Sequence, residues 1–140
     1  MMYITRRERF TAAHRLFHTD WSNEKNTEVF GGCANPNWHG HNYEMFVTVK
    51  GQVDPELGWV MNLKDLSQLI RVRITDKLDH RNLNMDVDFL KDVMTSTENL
   101  AIAIWNELAP GISEKGATLH SIKLRETENN YVEYYGPNGL

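Results

Sequence analysis

The chain of 140 residues has one cysteine, four prolines, no long apolar run and no cluster of basic residues. Each shortage excludes something. A single cysteine rules out an intramolecular disulfide and fits a reducing compartment. Nothing approaches the roughly 20 consecutive apolar residues of a membrane-spanning helix, so no membrane partner is expected. A net charge of −4 and a pI near 5.8, without a basic stretch, argue against general affinity for nucleic acid. Met1-Met2-Tyr3-Ile4-Thr5-Arg6-Arg7 turns charged with no apolar segment behind it, so no secretory leader is read and a cytoplasmic location is expected. Repeats, linkers and low-complexity segments are also missing, which leaves one domain over residues 1–140. A domain of this size buries roughly 68–70% of its unfolded surface, so a metal is not needed merely to hold a core together.

Hydrophobic periodicity orders what is there. Residues 3–14 read as a strand with Phe10, Ala12 and His14 on one face. Residues 18–37 are polar; Ser22 can cap a short helix through Val29, with Gly31 ending it. A second strand covers residues 39–52, and the Asp54-Pro55-Glu56-Leu57-Gly58 turn follows. Asn62 opens a helix striped by Leu63, Leu66, Ile70 and Ile74. Residues 79–92 are irregular and acidic. Thr95-Ser96-Thr97-Glu98 carries a capping box for a second helix, buried through Ala101, Ile104, Trp105 and Leu108 and stopped by Pro110 and Gly111. Two strands, residues 118–127 and 131–135, form a hairpin across Glu128-Asn129-Asn130. The order ββααββ, with helices segregated from an antiparallel sheet, means an α+β domain: four strands with two helices on one face.

Chemistry concentrates in Cys33-Ala34-Asn35-Pro36-Asn37-Trp38-His39-Gly40-His41-Asn42-Tyr43. On a strand, His39 and His41 share a face about 6.5 Å apart, a spacing that lets two imidazoles converge on one cation. A catalytic zinc takes three protein ligands and keeps an open position. His14 is the best third ligand: taken alone a strand-end histidine is an ordinary hydrogen-bonded residue, but pairing of the two strands sets it beside His39 and His41. His18 and His120 are read as ordinary residues. Cys33 is a small buried hydrophobe, a fourth ligand that would close the site, or a thiolate base acting on a metal-held substrate. Asp79 and His80 follow the first helix and either cap it or form a carboxylate–imidazole proton-transfer pair. Glu126 shares the parity of Ile122 and Leu124; an inward carboxylate suits a ligand offering two adjacent N–H groups, a charge-assisted pair contributing about 1.5–3 kcal/mol. Thr97 and Glu98 read first as helix-cap residues.

Together these motifs resemble the 6-pyruvoyl-tetrahydropterin synthase family over nearly the whole chain. The likeness runs through Phe10-Thr11-Ala12-Ala13-His14-Arg15-Leu16, Phe30-Gly31-Gly32-Cys33, His39-Gly40-His41-Asn42-Tyr43, Gly58-Trp59-Val60-Met61-Asn62-Leu63, Leu78-Asp79-His80-Arg81-Asn82-Leu83, Ser96-Thr97-Glu98-Asn99 and Glu126-Thr127-Glu128-Asn129-Asn130. The resemblance implies the tunnelling fold (T-fold), whose four-stranded sheets close into a barrel in a homo-trimer, two trimers stacking as a hexamer with active sites at subunit interfaces. It implies Zn²⁺ on His14, His39 and His41, and Cys33 as catalytic base. Asp79 and His80 would complete the proton-transfer triad from a neighbouring subunit. Glu126 would anchor the pterin, with Thr97 and Glu98 in the same substrate pocket.

The implied substrate is a pterin triphosphate, 7,8-dihydroneopterin triphosphate, losing triphosphate with internal redox. Arg15 and Lys77 are candidate cations for the triphosphate. The alternatives are 6-carboxy-tetrahydropterin synthase of queuosine biosynthesis, a non-catalytic module with a closed four-ligand zinc, and another pterin or purine enzyme, such as an aldolase, that keeps Glu126 without a metal. Five residues between Cys33 and His39 favour the pyruvoyl branch, whereas Trp38 stands where glycine is expected in the animal enzymes.

Overall fold

The computed structural model describes residues 1–139. Its frame is an antiparallel pair of long strands, β1 (Met2–His14) and β2 (His39–Gly51), in continuous register from Met2 opposite Gly51 to His14 opposite His39. The alternation of Phe10, Ala12 and His14 against Tyr43, Met45, Val47 and Val49 makes that register the one that buries an apolar face; a slip of one residue would expose it. Strand β4 (Thr118–Arg125) continues the sheet from β2, and β5 (Tyr131–Tyr134) pairs with β4.

The sheet has five strands rather than the expected four. Residues Arg81–Asn82, β3 in chain order, pair parallel to β1 at Ala12 and Ala13, giving the order β3-β1-β2-β4-β5. Two residues are too few to carry a period, so this edge strand left no trace in the hydrophobic pattern. The hairpin strands are shorter than read, and Glu126 lies just past the end of β4.

The helices that follow β2 cover one face of the sheet. Helix α1 (Asn23–Phe30) is capped by the Ser22 hydroxyl, which accepts from the Lys25 N–H, and ends at Gly31 with φ of 58°. Helix α2 (Leu63–Ile70) passes through a π-turn (Arg71–Thr75) into the short α3 (Asp76–Leu78). Leu66, Ile70, Ile74 and Leu78 are fully buried, whereas Leu63 is exposed, contrary to its place in the expected stripe. A strict four-residue spacing drifts about 40° per step on an α-helix; the wider π-turn absorbs part of that drift and keeps the later residues on the sheet. Helix α4 runs Thr97–Glu114, past Pro110 and Gly111, which were expected to stop it. Proline removes one backbone donor; the turn survives because Ile112 is fully buried and Gly111 packs so close to Leu69 that an added Cβ would stand 2.8 Å from Leu69 Cδ1.

Candidate metal-binding active site

The register of β1 and β2 builds the site. His14 faces His39 directly, Ala12 faces His41 and Phe10 faces Tyr43, so three imidazoles gather at one end of the sheet. Ring centroids stand 4.5 Å (His14–His39), 5.1 Å (His14–His41) and 4.9 Å (His39–His41) apart, and one ligand nitrogen from each lies within 4.8 Å of the others. Among the described residues no other group of three histidine, cysteine or acidic side chains comes together in this way.

Burial makes these nitrogens unusual. His14 is 1% exposed, and its Nδ1–H donates to the Thr95 carbonyl at 2.7 Å, which leaves Nε2 unprotonated. His39 Nδ1, His39 Nε2 and His41 Nε2 are buried without any hydrogen-bond partner. Each orphaned group costs about 1–3 kcal/mol. Burial pushes the His14 imidazole below its ordinary value of 6.5, the Thr95 carbonyl acting in the opposite sense; burial and then His41 push His39 down likewise. The neutral imidazole is the metal-ligating form. Orphaned nitrogens, neutral rings and a backbone acceptor that sets the His14 tautomer fit a zinc-type cation.

A cavity of about 360 Å³ opens beside His14, lined by Cys33, Thr97, Glu98, Glu126 and Tyr131 among others. Cys33 sits half-buried in a 3₁₀ turn (Gly31–Ala34) held to the chain beyond β1 by the Leu16 N–H donating to its carbonyl at 2.8 Å. Its sulfur is not among the clustered ligand atoms. Glu126 reaches both sides of the triad, Oε1 lying 3.7 Å from His41 Nε2 and Oε2 3.9 Å from His14 Nε2. The buried Thr97 hydroxyl donates to Glu126 Oε2 in a short hydrogen bond. Glu98 is exposed at the cavity rim.

Asp79 and His80 are elsewhere. Asp79 Oδ1 accepts the Thr11 N–H at 2.8 Å, and its Oδ2 lies 2.9 Å from His80 Nδ1. The Thr11 N–H, ahead of His80, holds the Asp79 carboxyl below the usual carboxylate range. His80 adopts φ of 60° and its side chain is 82% exposed. The pair lies along the edge of β1 beside β3 and does not line the cavity of Cys33. Arg15 donates from Nε to the Ala34 carbonyl and stacks over Phe17, and Lys77 opens onto a different hollow, so neither lines that cavity.

Trp38 holds φ of 69°, a left-handed conformation suited to glycine, and its ring lines a groove with Arg15, Phe17 and Met94 instead of the Cys33 cavity. Sequence reasoning passed over two groups. Tyr43 was read only as a strand residue, yet its hydroxyl lies 3.4 Å from His14 Nε2, and burial followed by the Glu126 charge raises its ionisation far above the phenol range. Its parity with His39 and His41 was the available signal. The Thr95 contribution is a backbone carbonyl, for which residue type carries no signal.

A sequence profile described as 6-pyruvoyl tetrahydropterin synthase matches residues 3–137. The 6-pyruvoyl tetrahydrobiopterin synthase of Homo sapiens is 46% identical over 133 residues, spanning 95% of this chain and 90% of its own length. The protein of that name from Dictyostelium discoideum is 44% identical over 133 residues, with 95% of both chains covered. The solved structure of Caenorhabditis elegans 6-pyruvoyl tetrahydropterin synthase superposes with a TM-score of 0.89 at 38% identity, covering 96% of this chain and 95% of the other.

Proposed function

The chain belongs to the 6-pyruvoyl tetrahydropterin synthase family, and on that footing we propose that it is a zinc-dependent 6-pyruvoyl-tetrahydropterin synthase. The observation that carries the reading is the convergence of three imidazoles, two of them with orphaned nitrogens, beside a cavity that also holds a thiol and a carboxylate. The substrate would be 7,8-dihydroneopterin triphosphate, from which triphosphate is eliminated while internal redox reduces the pterin ring.

His14, His39 and His41 would hold the ion. Bound there, zinc would supply polarisation of the side-chain oxygens and so acidify the neighbouring C–H bonds. Cys33, as thiolate, would accept a proton from side-chain carbon and return it at the next carbon. The Glu126 carboxylate would accept two adjacent N–H groups of the pterin, and the Thr97 hydroxyl, donating to Oε2, would keep that carboxylate aimed into the cavity. Asp79 and His80, exposed and outside the lining of this cavity, would serve the site of a neighbouring copy in a homo-oligomer whose sheets close a T-fold barrel.

The decisive experiment is product identification by mass spectrometry with the zinc-loaded protein and 7,8-dihydroneopterin triphosphate. Pyruvoyl-pterin plus triphosphate is the expected result. Carboxy-pterin with acetaldehyde would move the chain to the carboxy branch, and no turnover would overturn the assignment. Cys33→Ala is expected to keep zinc and fold and to lose about 10²–10⁴-fold in turnover. Loss of zinc and melting temperature together in that variant would mean instead a closed structural site.

A further inference from the structure

We propose that Asn84 is the positioning residue of the metal centre: its carboxamide fixes where His14 sits and which ring nitrogen faces His39 and His41. This rests on the triad being a metal site.

Regular pairing of β1 with β2 ends at His14 opposite His39. On the other edge of β1 the 79–83 segment supplies a ladder: the His80 N–H donates to the Thr11 carbonyl at 2.6 Å and the Leu83 N–H to the Ala13 carbonyl at 2.8 Å. The next rung is made by a side chain. Asn84 Oδ1 accepts the Arg15 N–H at 3.0 Å while Asn84 Nδ2 donates to the Arg15 carbonyl at 3.0 Å. One carboxamide thus satisfies both backbone groups of the residue after His14, as a paired strand would. The amide orientation is forced, because a flipped amide would point N–H groups at the Arg15 N–H and leave both without an acceptor.

Asn84 Oδ1 has a second donor, the Thr95 hydroxyl at 3.0 Å, and the Thr95 carbonyl accepts from His14 Nδ1 at 2.7 Å. His14 is therefore gripped through the backbone on one side and through the ring on the other, and both grips meet at Asn84. Thr95 is fully buried and His14 nearly so, which leaves no water to replace a lost partner. Asn84 is itself braced, its N–H donating to Asn82 Oδ1 at 2.9 Å. A donor role at Nδ1 keeps the Nε2 lone pair on the side of the other two imidazoles, the outer-sphere arrangement that tunes ligand basicity in metal sites.

The test is zinc affinity by chelator competition together with ¹⁵N NMR of the His14 imidazole in the metal-free protein. Asn84→Leu removes every side-chain polar contact at similar volume; its zinc Kd is expected to rise about 10–100-fold, and a second His14 tautomer to appear beside the Nδ1–H form. Asn84→Asp keeps both accepted hydrogen bonds but sets a carboxylate oxygen against the Arg15 carbonyl, so it is expected to restore the single tautomer and only part of the affinity. Thr95→Val removes the hydroxyl that bonds Asn84 Oδ1 at 3.0 Å and reaches the Arg15 carbonyl at 3.5 Å, leaves the Thr95 carbonyl in place, and serves if Asn84→Leu does not fold; about a tenfold weaker Kd is expected. Wild-type Kd and tautomer in either folded variant, even with a lower melting temperature, would overturn the proposal. Failure of the wild type to bind zinc would instead sink the metal reading, and the tautomer measurement would still decide the role of Asn84.

Discussion

The histidine triad and the Asp79–His80 pair are both fastened to the last residues of β1, within Thr11–His14, yet their surroundings are opposite. His14 is almost wholly enclosed, and the His39 ring has no hydrogen-bond partner at either nitrogen. His80 is 82% exposed and sits 2.9 Å from a carboxylate that is itself anchored by a backbone N–H. The first group is enclosed and has too few protein partners, and a cation held by the three rings would complete it. The second is complete as it stands and presents a pre-oriented imidazole outward, the form of a group that acts on something arriving from outside its own chain. Burial without satisfaction suits the proposed metal centre, and satisfaction with exposure suits the proposed contribution to a neighbouring copy.

The strongest way to break this contrast is to remove one member from each region. His39→Ala should abolish stoichiometric zinc, read by metal analysis, while His80→Ala should keep zinc and still lose turnover. Mixing the two inactive chains during assembly should recover activity if each region serves a different copy. Failure to recover, with both variants folded, would return Asp79 and His80 to a capping role.

A smaller effect follows from burial. His14 and His39 are held below 6.5, so the metal-free folded chain keeps them neutral while the unfolded chain takes up protons as pH falls through about 6.5. The unfolded state then binds more protons, and the stability is fully present above that value and declines below it. Melting temperature of the metal-free protein should fall between about pH 7 and 5.5, and zinc should raise it most at the upper end of that range, because its imidazole ligands must be deprotonated. A flat profile without metal would mean that the imidazoles are solvated.

The smallest effect concerns backbone strain beside the triad. Trp38 and His80 both hold positive φ, one ahead of the metal half-site and one within the exposed pair. Replacing Trp38 by alanine and by glycine removes the same indole contacts, so their difference isolates the conformation. Trp38→Gly should be more stable than Trp38→Ala by about 1 kcal/mol in denaturant titration. Equal stabilities would mean that the left-handed conformation relaxes once the indole is gone.

Much of the fold was legible because its signals are periodic. Phe10, Ala12 and His14 against Tyr43, Met45, Val47 and Val49 alternate without interruption, and Ser22 and Asn62 announced two helices at their true starts. Legibility failed where contacts overrode local preference. Pro110 and Gly111 read as a stop, but the burial of Ile112 and the fit of Gly111 against Leu69 carry the helix onward. β3, two residues long, exists only because the edge of β1 offers it partners.

The sequence by itself determined which side chains share a face, since strand parity is a property of the backbone: His39, His41 and Tyr43 had to point together, and so did Ala12 and His14. It also carried the family likeness, because that is written in residue types and their order. Only the tertiary structure decided that His14 stands opposite His39, that the Thr95 carbonyl holds its ring while the Asn84 amide pairs with Arg15 beside it, and that Asp79 and His80 do not line the cavity of Cys33. Those facts depend on strand register and on backbone carbonyls that find partners 69 to 81 residues away in the chain. A carbonyl is identical in every residue, so its use as a partner is settled by where the chain folds.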